Sequence, residues 1–254
     1  MAGLRLLRGA DEANALAATL GFEGQDLLEW IERDTELIKS ERHSRVGLVD
    51  AGKLYHCKLY LPKSALQRVL FRLGQARALN SFDMALRLRE QGIAVPEPVA
   101  CFSADGALLL VTEGLRDARD LKSLWTGYGS GETFSEALTA SATALAALHG
   151  AGFCHGDCKW SNFLIDGTRV LFVDLENVAT CRPGSSQQVR DIARFILNAE
   201  DMGLPQADFD QCIATYAAEL GVSVELLLGS ILPVLKKLRG RHRRTYGERG
   251  HPLV

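Results

Sequence analysis

The chemistry legible in this chain sits in one short stretch. The octet His155-Gly156-Asp157-Cys158-Lys159-Trp160-Ser161-Asn162 reads as H-x-D-x-K-x-x-N, and Asp174 follows twelve residues after the Asn. These residue types at this spacing suit phosphoryl transfer. Moving a γ-phosphoryl group requires a carboxylate near the attacking hydroxyl, which Asp157 supplies. It requires hard oxygen ligands for Mg²⁺, and Asn162 and Asp174 offer them. A cation over the moving phosphate helps, and Lys159 stands two residues after the Asp.

Elements on either side must hold that loop. Residues 138–148 predict a buried helix, with Leu138, Ala142, Leu145 and Leu148 at i, i+4, i+7 and i+10. Gly150 and Gly152 end it. Residues 163–165, the pair Asp166-Gly167 and residues 170–173 predict strand, turn and strand. The octet then lies between helix and hairpin, with Asp174 at the hairpin's exit. Cys154, His155 and Cys158 also admit a metal reading, which explains the window less well than a catalytic loop does.

On His155, Asp157, Lys159, Asn162 and Asp174 the chain resembles protein-kinase-like phosphotransferases. More narrowly it resembles the bacterial lipopolysaccharide core kinases that phosphorylate heptose or Kdo sugars. The wording His-Gly-Asp-x-Lys-Trp-x-Asn is nearer to them than to eukaryotic protein kinases, which usually carry Arg after the His. The resemblance implies an α+β, two-lobed fold. Residues 1–114 would form a small antiparallel-sheet lobe with a helical extension, and residues 115–254 a mainly helical lobe, with ATP and Mg²⁺ in the cleft. It implies catalytic roles for Asp157 and Lys159 and metal binding by Asn162 and Asp174. His155 and Asp191 would give structural support, with Asp191 accepting backbone N–H groups of the loop. Asp191 also reads as a first-turn acid complementing a helix dipole.

Upstream, residues 46–49 and 54–61 predict a hairpin around Asp50-Ala51-Gly52-Lys53. Lys58 lies inside its second strand and matches the kinase lysine that holds the α/β-phosphates; an edge-strand Lys facing water is the alternative. Lys53 and Lys63 fit less well. Residues 40–47, read as a loop, hold one glycine where protein kinases carry G-x-G-x-x-G. The helical region 64–91 offers no Glu to Lys58 between Gly74 and Arg89, so Asp83 is the candidate partner. Residues 99–103 and 107–112 predict strands around Ala104-Asp105-Gly106. Glu113, at the expected adenine-binding hinge, reads equally as a cofactor contact or an ordinary turn residue. Residues 11–20 and 25–40 predict helices, the first with Asp11 as N-cap. No activation segment ending in Ala-Pro-Glu follows Asp174, only a connector over 177–188. Trp160 offers a face to a sugar ring or packs in the core.

The chain has 254 residues, 47% hydrophobic and 24% charged, with net charge −2. That length suffices for two packed lobes, and that charge argues against wholesale nucleic-acid binding. Six cysteines form no C-x-x-C and predict reduced thiols. Neither a secretory leader nor an 18-residue apolar run is evident, which predicts a cytoplasmic protein. Residues 208–220 and 223–238 predict closing helices. Residues 236–254 hold seven basic residues (Lys236, Lys237, Arg239, Arg241, Arg243, Arg244, Arg249) against Glu248 alone. They read as a solvated tail, or as a patch for anionic lipid or a phosphorylated glycolipid at the inner face of the inner membrane. The expectation is therefore an ATP-dependent kinase of the lipopolysaccharide core. A small atypical protein kinase, an aminoglycoside-type small-molecule kinase and a silent kinase-fold scaffold are the alternatives.

Overall fold

The structure, a computed structural model, describes residues 4–10, 13–72, 77–104, 106–129 and 131–254. Asp11 and Asp105 lie outside the described residues, as does Gly74. The chain divides into two compact units: residues up to Arg87 with Val95–Asp117, and Leu88–Ala94 with Ala118–Val254.

The first unit is built on one antiparallel sheet. Its strands are β1 (Arg5–Gly9), β2 (Glu36–Glu41), β3 (Ser44–Asp50), β4 (Leu54–Tyr60), β5 (Pro98–Ala104) and β6 (Ala107–Glu113), in the order β1-β5-β6-β4-β3-β2. Helices α1 (Ala13–Thr19) and α2 (Leu27–Arg33) cover one face. The Asp26 carboxylate caps α2 by accepting from the N–H groups of Leu28 and Glu29. Leu27, Trp30 and Ile31 then share its buried side and pack with Phe22, Cys57, Leu59 and Phe102. Alternation along β4 sends Cys57 and Leu59 into that core and puts His56, Lys58 and Tyr60 on the opposite face. There Tyr60 and Leu108 join Phe71, Leu79 and Phe82 from α3 (Ala65–Arg72) and α4 (Arg77–Glu90).

The sequence reading fails at residues 34–47. The predicted helix 25–40 stops at Arg33, and β2 begins at Glu36. Asp34 caps the helix, Thr35 gives its hydroxyl to the Ile31 carbonyl, and Glu36 enters the sheet opposite Leu48. The predicted loop 40–47 is consequently mostly strand, with only Arg42 and His43 between β2 and β3. Its single glycine serves packing: a Cβ on Gly47 would lie 2.0 Å from Thr35 Oγ1.

The second unit contains β7 (Arg119–Asp120), α5 (Leu121–Tyr128), α6 (Glu132–Gly150), β8 (Phe153–Cys154), β9 (Phe163–Asp166), β10 (Arg169–Phe172) and β11 (Ala179–Thr180). It closes with α7 (Ser186–Asp201), α8 (Gln206–Glu219) and α9 (Val224–Tyr246). The apolar stripe of α6 is buried, from Phe134 through Leu138, Ala142 and Leu145 to Leu148. β9 and β10 form the predicted hairpin with β7 at its edge, and β8 pairs with β11.

The basic C-terminal stretch is mostly helix. α9 continues to Tyr246 because Lys and Arg are good helix formers, and Gly247 ends it. Arg239 then clasps the chain end. Its guanidinium donates to Glu200 Oε2 at 2.8 Å and to the Val254 carbonyl at 2.8 Å, while Glu200 Oε1 accepts the Leu253 N–H at 3.1 Å. No single helix among the described residues is long and apolar enough to cross a membrane.

Candidate active site

The octet crosses from β8 to β9 and is held from beneath by α7. Asp191 Oδ2 accepts the His155 N–H at 2.5 Å, and Oδ1 accepts the Gly156 N–H at 3.0 Å. Asp191 is 1% exposed and lies in the second turn of α7, not the first, so its carboxylate serves the loop rather than the helix end. One turn and two turns on, the same helix presents Arg194 and Asn198; Asn198 Oδ1 accepts the Trp160 N–H at 3.2 Å. Gly156 has φ +77°, and a Cβ there would sit 2.6 Å from the Asn177 carbonyl oxygen, so no larger residue fits.

His155 ties the octet to the Asp174 segment. Its Nε2 lies 3.1 Å from the Val173 carbonyl, and its Nδ1 accepts the Asp157 N–H at 3.4 Å. One nitrogen donates and the other accepts, so the ring is the neutral Nε2–H tautomer. Burial pushes its pKa down, against the opposing pull of Asp191, and keeps it neutral. Asp174 follows in left-handed backbone, φ 60° and ψ 51°, and is the only non-glycine residue with positive φ among the described residues. Asp tolerates that region better than most residues, and it turns the chain sharply after β10.

Asp157 is mostly buried. Its Oδ2 pairs with Lys159 Nζ at 2.6 Å, and its Oδ1 with the Arg194 guanidinium. Asn162 donates from Nδ2 to the Asp157 carbonyl at 2.8 Å, and its own carbonyl accepts the Val173 N–H at 3.1 Å. The first bond fixes the amide orientation and leaves Oδ1 as the Asn162 atom suited to a cation. The second brings Asn162 beside Asp174. Two hard oxygen donors, completed by phosphate oxygens and water, fit the octahedral preference of Mg²⁺. Among the described residues no three His, Cys, Asp or Glu side chains form an all-protein metal cage. The Cys154/His155/Cys158 metal reading fails too, since His155 uses both ring nitrogens and burial holds the Cys158 thiol well above its ordinary pKa.

Trp160 is a packing residue: it is fully buried, with ring centroids 5.6 Å from Phe134 and 5.9 Å from Phe195. The connector after Asp174 is pinned. Residues of β11 pair with β8, and Gln188 donates to the carbonyls of His149 and Phe153 while accepting the Gly184 N–H.

In the first unit, Lys58 sits opposite Val46 and Leu110, with its ammonium 5.0 Å from the Tyr60 ring centroid. Asp83, the expected partner, accepts hydrogen bonds from Arg8 on both carboxylate oxygens, at 2.8 and 3.2 Å. Glu113 continues the strand pairing: its N–H donates to the Glu97 carbonyl, its Oε2 accepts the Glu97 N–H, and the Gly114 N–H donates to the Leu54 carbonyl. His56, on the Lys58 face, is pushed down to about 4 by burial and by the Lys58 charge.

Sequence reasoning missed Arg194 and Asn198. The signal was present: Asp191, Arg194 and Asn198 recur at i, i+3 and i+7, a polar stripe alongside the buried Ile192, Phe195, Ile196 and Ala199.

Comparison with known proteins bears on the fold and the family. No curated protein matches the chain. A solved structure described as "WaaP in complex with acyl carrier protein" superposes with a TM-score of 0.59 at 20% identity, covering 95% of this chain and 99% of that one. At that identity the likeness speaks to the fold, which is thus kinase-like. The family model described as lipopolysaccharide kinase (Kdo/WaaP) matches residues 30–216. That span is most of the chain and includes Lys58, the octet, Asp174 and Asp191, so the protein belongs to the Kdo/WaaP family of lipopolysaccharide kinases.

Proposed function

We propose that this lipopolysaccharide core kinase transfers the γ-phosphoryl group of ATP to a heptose or Kdo hydroxyl, with Asp157 receiving the proton. The observation that carries the assignment is the Asp157 carboxylate, fixed on a loop braced by α7 and flanked by Lys159 and Arg194. The sugar oxygen bonds to the γ-phosphorus as the bond from that phosphorus to the ADP oxygen breaks, and the hydroxyl proton passes to Asp157. Lys159 is placed to leave the carboxylate and meet charge on the moving phosphoryl group. Lys58 holds nucleotide phosphates from β4. Asn162 and Asp174 would hold Mg²⁺, which neutralises phosphate charge when bound. Glu113, at the end of β6, would border the base. The short connector, occupied by its own pairing with β8, supports a sugar acceptor over an extended polypeptide.

The cytoplasmic face of the inner membrane is the proposed place of action. Exposed cations on α9 support peripheral contact with anionic lipid: Lys236, Lys237, Arg241 and Arg244. Leu226, 75% exposed, lies on the same helix and adds an apolar contact.

The test is an assay with labelled ATP, comparing lipopolysaccharide core with generic protein substrates. The glycolipid should take the label. Asp157→Ala should lower turnover by roughly 10²–10⁴-fold with nucleotide binding retained. Lys58→Ala should instead raise the KM for ATP. Labelled proteins with an unlabelled core, or an Asp157→Ala variant as active as wild type, would overturn the proposal.

A further inference from the structure

We infer that Arg194 is a positioning residue for the transfer step: it holds Asp157 Oδ1 so that Oδ2 is the oxygen that receives the acceptor proton. The inference rests on the functional reading above and goes beyond it by separating the two carboxylate oxygens.

Both oxygens carry a cation, but the cations differ in how they are held. Lys159 is 49% exposed and sits on a flexible four-carbon stem within the loop itself. An ammonium there is easily drawn to phosphate, and its departure uncovers Oδ2. Arg194 comes from a different element. It rises from α7 between the buried Ala193 and Phe195, with a planar guanidinium whose donors point in fixed directions. The same helix holds the backbone of His155 and Gly156 through Asp191, and that of Trp160 through Asn198. Arg194 is the member of this stripe that reaches the reacting side chain.

A fixed donor on Oδ1 does two things. The terminal torsion of an Asp is broad and roughly two-fold, so a carboxylate without such a donor samples many orientations; Arg194 sets its plane. Arg194 also leaves Asp157 one counter-charge after Lys159 has moved to the phosphoryl group. Asp157 is then kept from swinging toward neighbouring cations. In a loose transition state the base contributes mainly by aiming the hydroxyl, so orientation is where its loss registers. As the sugar oxygen bonds to phosphorus, the proton moves to Oδ2 and ADP departs with the electron pair of the broken bond.

The experiment uses the full chain, labelled ATP and lipopolysaccharide core. Arg194→Gln should lower kcat by about 10–100-fold, the loss of one charge-assisted hydrogen bond, with the KM for ATP nearly unchanged. Arg194→Lys should recover part of that loss, and guanidinium ion added to Arg194→Ala should recover more than an equal concentration of sodium does. Combined with Asp157→Asn, Arg194→Gln should add little, because the two act as a unit. Melting temperatures taken alongside separate folding from positioning. If Arg194→Gln is fully active, or activity falls only in step with melting temperature and neither lysine nor guanidinium restores it, the inference is overturned. Wild-type protein that phosphorylates nothing in the core overturns the functional reading itself.

Discussion

Helices α7 and α9 pack against each other and are both rich in charge, yet they use it in opposite ways. On α7 the charges that meet the catalytic loop and the chain end point inward, while Arg190 faces water. Asp191 is buried with two loop N–H groups on its oxygens, Arg194 reaches Asp157, and Glu200 is 4% exposed. On α9 most cations point to water, and Arg239 alone turns back to Glu200. A buried charge with fixed partners dictates geometry, because leaving either partner unmatched is costly. An exposed charge shapes only the field around the molecule, and salt weakens it. By this contrast α7 is the helix on which the proposed chemistry depends, and the outer face of α9 the surface that the proposed membrane contact would use.

Asp191→Ala should break the contrast most severely. The buried His155 N–H would lose its acceptor, at about 1–3 kcal/mol, and the part-buried Gly156 N–H would lose its own at a smaller cost, so a loss of roughly 2–4 kcal/mol is expected. Thermal melting should fall sharply, and turnover further than stability explains, because His155 and Gly156 fix the approach to Asp157. Asp191→Asn keeps one acceptor oxygen and should be milder. An Asp191→Ala protein with wild-type melting and turnover would show that α7 is not the brace.

Arg239→Ala comes next. It would strip Glu200 of its cation while the Leu253 N–H stays on the same carboxylate. Arg239 is 27% exposed at its side chain, so solvent relieves part of the cost, and about 1–3 kcal/mol is expected. The residues after Gly247 should become protease-sensitive before the rest of the chain. Unchanged cleavage in limited proteolysis would mean the clasp does not hold the terminus.

How much of this was legible depended on the range of each interaction. The octet was readable because its chemistry is packed into consecutive residues, and the α6 stripe and the β9–β10 hairpin because local periodicity specifies them. Residues 34–47 were not. Glu36-Leu37-Ile38-Lys39 has no clean two-residue alternation, since β2 is an exposed edge strand, and its pairing with β3 decides its state. Gly47 reads as a phosphate-loop glycine until Thr35 is seen against it. The pairing of Asp83 with Arg8 could not be read either, because Arg8 is 75 residues away in sequence. Asp191 was visible as a candidate, whereas Arg194 was not singled out, because its partner lies 37 residues earlier.

The smallest effect on the folded chain, and the one that sharpens the other side of the contrast, concerns the outer face of α9. Leu226, Lys237, Arg241 and Arg244 fall at i, i+11, i+15 and i+18, close to one line along the helix, and all are exposed. Replacing Lys237, Arg241 and Arg244 with Gln removes three surface charges and no buried contact. Stability should change by less than about 0.5 kcal/mol, and phosphorylation of a soluble core oligosaccharide should be unaffected. What should change is sedimentation with vesicles containing phosphatidylglycerol. Each cation near an anionic surface contributes about 1 kcal/mol, so the triple variant should bind tens- to a hundredfold more weakly at low salt. The gap should narrow as salt rises, because screening acts over about 8–10 Å at physiological ionic strength. Leu226→Ser should weaken binding in a way that salt does not remove, since that contact is apolar. If wild-type protein ignores anionic vesicles at low salt, or the triple variant binds them equally well, the exposed cations of α9 have no membrane role.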